Sequence, residues 1–157
     1  MKILFIIFCS ISPIIINAQS IDYNNFKGEI LNDVTFRLLN EYTSMEGGYS
    51  LFHSSSNHHK IYKFLKKNYK ELLLDDLSAK INDRIPTSSV GILDSISCKG
   101  ITEYQEIANK CITDLKNSPS DSFFTIGWGK DVDVISYYSN RSMTIYIALV
   151  YQNYSPD

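Results

Sequence analysis

The chain is poor in the residues that usually announce chemistry. Its 157 residues include three cysteines, three histidines and one tryptophan. It contains no Cys-x-x-Cys pair, no His-Glu-x-x-His and no His/Cys cluster at metal-ligand spacing, so a zinc site of the usual kind is not expected. Excess positive charge is missing as well. Lys and Arg total 15 against 17 for Asp and Glu, a formal net charge of −2, and such a chain has no general field to gather nucleic acid or anionic lipid. No nucleic-acid partner is expected. There is no internal repeat or low-complexity tract, which excludes a repeat architecture. An apolar run long enough to cross a bilayer, roughly 20 residues, is also lacking: the longest, Ile3 to Ile16, is shorter and is broken by Ser10, Ser12 and Pro13.

That run is nonetheless informative. Lys2 precedes it, and polar Asn17 and small Ala18 follow it, the order of a secretory signal peptide. Residues 1–18 therefore read as a leader cleaved after Ala18. The remaining 139 residues, 19–157, are about the size of one domain. A secreted, periplasmic or otherwise extracellular location follows, with no stable membrane span after processing. Export leaves Cys98 and Cys111. They can close a disulfide that adds roughly 3 kcal/mol in the chain-entropy model, or remain two buried thiols.

Hydrophobic spacing predicts the elements. Phe26, Ile30, Val34, Leu38 and Tyr42 recur every four residues, with Leu31 and Leu39 beside them, the stripe of an amphipathic helix. Gly47 and Gly48 end it, and Tyr49, Leu51 and Phe52 suit a short strand. A second helix runs from His58 to about Leu74 behind Ser54 to Asn57 as cap candidates. Asp75 to Ser89 reads as a loop or broken short helix, since its leucines are too few for a long element. Val90 to Cys98 reads as a strand. A third helix starts near Thr102, with Gln105 completing a capping box. The last third is rich in β-branched and aromatic residues, in Phe124 to Gly129, Val132 to Tyr138 and Met143 to Tyr151. Ser139 to Ser142 forms the turn between the last two strands. Helices first and an antiparallel β-meander last predict an α+β fold.

Three local patterns resemble the secreted CAP superfamily, the cysteine-rich secretory, antigen 5 and pathogenesis-related 1 proteins. Asn40-Glu41-Tyr42 is similar to the family's N-x-[YF]-R, with Thr43 replacing the arginine. Leu93 to Ser97 stands in the place of G-E-N-I-A, with Asp94 at the glutamate. Asn117-Ser118-Pro119-Ser120-Asp121, followed by Ile126-Gly127-Trp128-Gly129, resembles N-S-P-G-H and then I-G-V-G, with Asp121 where the histidine belongs. The resemblance implies a three-layer α-β-α sandwich over a single domain, 19–157. It also implies a cleft in which many members set histidines and glutamates able to hold a divalent metal. With Asp121 in place of that histidine, and His58 and His59 about a turn from where the other belongs, no metal and no cofactor are expected.

The ligand-cleft candidates are His58, His59, Asp94, Glu106 and Asp121. Glu106 sits three residues from Glu103 on the third helix, so one of the two can face a cleft where burial raises its pKa. No catalytic residue is assigned. The leading expectation is a non-catalytic binding domain for a small lipid-like ligand or an extracellular macromolecule. A hydrolase with His59 as base and Asp94 orienting it, and a small envelope or adhesion protein associating through sheet edges, are the alternatives. Asn140-Arg141-Ser142 and Asn153-Tyr154-Ser155 fit the N-glycosylation sequon.

Overall fold

The computed structural model describes residues 19–45, 50–54, 58–70, 74–84, 89–117 and 131–152. The expected leader, the Phe124 to Gly129 strand, Asp121 and the Asn153 sequon lie outside them.

Just after the expected cleavage point the chain is pinned to the body. Ser20 bridges to Glu103, and the Ile21 N–H donates to the Thr102 carbonyl at 2.8 Å. A single 3-10 turn, Tyr23–Asn25, follows, with the Asp22 carboxylate accepting the Asn24 N–H at 3.0 Å. Helix α1 spans Gly28–Met45 and buries Leu31, Val34, Thr35 and Leu39, while Ile30, Phe36 and Leu38 are half-buried at the margins. The stripe is the expected one turned slightly towards Leu31 and Leu39. Gly28 opens α1 against the sheet: a Cβ there would lie 3.2 Å from the Ser136 hydroxyl, which itself donates to the Gly28 carbonyl at 3.3 Å.

Strand β1 is short, Phe52–His53, and α2 spans His58–Asn68. The second helix stops earlier than its spacing suggests because its end is satisfied locally. The Asn68 amide donates to the Phe64 carbonyl at 2.8 Å, and the Tyr69 N–H reaches the Leu65 carbonyl at 3.0 Å. Of the two readings of the polar stretch, a loop or a broken short helix, the structure shows the helix: α3, Leu74–Arg84. Leu77 and Ile81 are one turn apart and almost fully buried, and two apolar anchors suffice for a short helix once a sheet and a neighbouring helix receive them.

Strand β2 covers Ser89–Ser97, α4 covers Tyr104–Lys116, and β3 and β4 cover Asp131–Ser139 and Thr144–Gln152. Helix α4 begins one residue later than its capping box implies. Glu103 is its N-cap without a side-chain cap bond, and the Glu106 carboxylate accepts the Thr102 N–H at 3.3 Å.

The sheet order is β1-β3-β4-β2. β3 and β4 form the expected antiparallel hairpin, and β2 runs antiparallel to β4. β1, however, pairs parallel with β3. The sheet is thus mixed, because β1 reaches the edge from α1, not by a hairpin turn. Among the described residues, four α-helices and a four-stranded mixed sheet are consistent with an α+β class.

Alternation along the strands separates two apolar clusters. Val132, Val134, Ile145, Ile147, Leu149 and Ile96 pack with α1 and α4. Ile135, Ala148, Val150 and Leu93 pack with α2 and α3. The possible Cys98–Cys111 disulfide is not formed: both thiols are free and buried in the first cluster. Their partners differ. The Cys98 Sγ lies 3.6 Å from the Ile96 carbonyl, whereas Cys111 sits on α4, and burial, aided by Asp94 and Asp114, pushes its thiol up to about 12.

Candidate functional site

Two carboxylates interrupt apolar strands, one on each face of the sheet. On β3, Asp133 shares the face of Ile135 and so points towards α2. It is 3% exposed. Its Oδ1 lies 3.2 Å from Nδ1 of His58, the first residue of α2, while Oδ2 is buried with no hydrogen-bond partner. Burial raises the Asp133 pKa; hydrogen bonding and charge from His58, and charge from His53, oppose that rise. The His53 ring meets Phe36 edge-on at 5.1 Å. With Asp133 ionised, Nδ1 of His58 carries the shared proton, and Nε2 is the nitrogen left to act on something else.

Asp94 occupies the opposite face. Its neighbour Leu93 joins the α2–α3 cluster, so Asp94 turns to α4. Its Oδ1 accepts the Ser95 N–H at 2.7 Å, and Oδ2 is buried without a partner. Burial raises its pKa most; the Ser95 bond opposes that, Asp114 adds to it as a like charge and Lys110 lowers it. Lys110 and Asp114 form an ion pair at 3.5 Å.

The sequence candidates therefore occupy separate places. His58 pairs with Asp133, Asp94 neighbours Asp114 beneath α4, Glu106 is exposed at the start of α4, and His59 is exposed on α2. Asp121 lies outside the described residues. The pairing of His59 with Asp94 does not form, because the sheet stands between them. Among the described residues no group of three His, Cys, Asp or Glu side chains could hold a metal ion.

Sequence reasoning missed Asp133, although a lone carboxylate within Val132-Asp133-Val134-Ile135 was a signal. It also missed a cavity of about 530 Å³ lined by Gln19, Ser20, Asp22, Asn25, Lys27, Ile30 and Tyr104. That size suits a small ligand, and the lining mixes polar side chains with the apolar surface of Ile30 and Tyr104.

A further surface lies outside α2. Between His58 and Lys70 there are five lysines and no Asp or Glu. Lys60, Lys63, Lys66, Lys67 and Lys70 are all exposed. At about 100° per residue the four helical ones fall within roughly 120° of the helix circumference, opposite buried Ile61 and Leu65. Beside them Tyr69 packs on Tyr137 and Tyr146, with ring centroids at 5.0 and 5.4 Å, and Lys70 lies over the Tyr69 ring at 5.5 Å. The Tyr69 phenol is held below its usual pKa by hydrogen bonding with Ser139, then by Tyr137 and Lys70.

No protein-family model matches the chain, and neither the curated proteins nor the solved structures contain a match to it.

Proposed function

We propose that the chain is an exported, CAP-like domain that works by holding an extracellular macromolecule and not by turnover. The observation that carries this reading is the outer face of α2, where exposed lysines border a group of packed, half-buried tyrosines. The exposed lysines supply charge that steers and holds an oppositely charged partner, and the tyrosines packed on one another hold the surface beside them in place. The CAP affiliation and its three-layer arrangement are supported by helices in contact with both apolar sides of the sheet, which is what the resemblance implies.

A second reading, a hydrolase, is favoured by one observation. His58 is oriented through Nδ1 by a buried carboxylate, the relation that prepares an imidazole to act as a base through its other nitrogen.

Expression with the leader intact, followed by recovery of the chain and an activity screen, tests both. The expected result is a chain beginning at Gln19 outside the cytoplasm, without hydrolysis of ester, amide or glycoside substrates. An unprocessed chain retained in the cytoplasm overturns export. Hydrolysis abolished by His58→Ala, with the fold retained, overturns binding in favour of the second reading.

A further inference from the structure

We infer that the lysine face of α2 docks an anionic polysaccharide, a hydrophilic polymer carrying sulfate or carboxylate groups. This rests on the reading of the chain as an exported binding domain and names its partner.

Charge segregation is the first argument. The whole chain is slightly acidic, yet five of its 15 Lys and Arg residues fall between His58 and Lys70, where no carboxylate interrupts them. All five are exposed. Asp133, whose carboxylate meets the start of α2, is buried beneath the helix and paired with His58, so it does not neutralise the outer face. From Lys60 to Lys67 the row extends about 10 Å at 1.5 Å per residue, with Lys70 just beyond the end of α2, enough for consecutive anionic groups of an extended polymer. Lysine ammonium groups are compact, hydrated charges on flexible stems. They suit a mobile, hydrated polyanion better than a single rigid anion, for which a fixed guanidinium fork would be expected.

Packing disfavours the other polyanions. A bilayer needs an apolar side to insert, but the apolar side of α2 is already buried, with Ile61, Phe64 and Leu65 against the sheet and α3. Single-stranded nucleic acid needs free aromatic faces for base stacking. Here the Tyr69 ring is engaged by Tyr137, Tyr146 and Lys70, and Tyr62 meets Tyr137 edge-on at 6.0 Å.

The test measures binding of residues 19–157 to heparin, with uncharged dextran, a single-stranded oligonucleotide and phosphatidylserine vesicles alongside. Heparin is expected to bind best and to be released by salt. Lys60→Glu/Lys63→Glu should weaken it at least about tenfold, because like charges then face each other. Acids near the start of α2 are compatible with the helix dipole, and an unchanged melting curve verifies the fold. Arg37→Glu/Lys99→Glu makes the same change in net charge at exposed positions elsewhere and should leave binding unchanged. Equal losses from both pairs overturn the inference, since net charge and not this face would then govern binding. Tighter binding to oligonucleotide or vesicles overturns it in favour of those partners. Binding to dextran that is insensitive to the lysine changes overturns it while leaving the binding reading intact. Hydrolysis that depends on His58 instead removes that parent reading, whatever heparin does.

Discussion

At the scale of single residues, the buried carboxylates set the molecule's response to pH. Asp94 has its pKa raised chiefly by burial, with Asp114 adding to the rise. The folded chain therefore holds that proton more tightly than the unfolded chain does. Stability from this group is fully present below the ordinary carboxylate range and is lost as pH rises from there through the raised folded value. Asp94→Asn keeps the shape and cannot ionise. It is expected to raise Tm at pH 7, and the gap from the parent should close as pH falls below the carboxylate range; melting curves across pH measure both. A variant less stable than the parent at pH 7 would mean that the ionised carboxylate has a stabilising partner. Asp94 was legible as a polar break in an apolar strand. Its neighbour Asp114 was not, since nothing in their spacing brings β2 and α4 together.

Among the elements, α3 shows where periodicity stops being sufficient. Leu77 and Ile81 repeat once over Leu74–Arg84, and an isolated helix of that length is marginal in water. Burial against β2 and α2 makes it stable. Leu77→Ala should then lower unfolding free energy by about 2–4 kcal/mol, the usual cost of truncating a fully buried leucine. A shifted denaturant midpoint with an unchanged slope is the expected readout; a change under about 0.5 kcal/mol would place Leu77 outside the core. Helices α1 and α4 were readable because their apolar stripes repeat over three turns or more. The end of α2 was not, because Asn68 closes it through a side-chain bond to the Phe64 carbonyl that no hydrophobic pattern encodes.

On the scale of the molecule, two apolar clusters share the central strands β3 and β4, so neither side should open without the other. Cys98 and Cys111 report on one of them. Each is 1% exposed, and burial raises both thiols above their usual range, so little thiolate forms at neutral pH. In residues 19–157, which lack Cys9, both thiols are expected to react with a thiol reagent only as fast as the whole domain unfolds. Fast modification of either in native buffer would reveal local opening of the α1–α4 side.

The sequence by itself determined what is local and periodic: the α1 and α4 stripes, the alternating strands β2, β3 and β4, and the crowding of lysines in α2. Tertiary structure alone decided that β1 joins β3 in parallel, that His58 meets Asp133, and that Asp94 lies across the sheet from both. The reason is physical. Alternation fixes which residues of a strand share a side, but which helices cover that side depends on how the separate apolar surfaces are buried together.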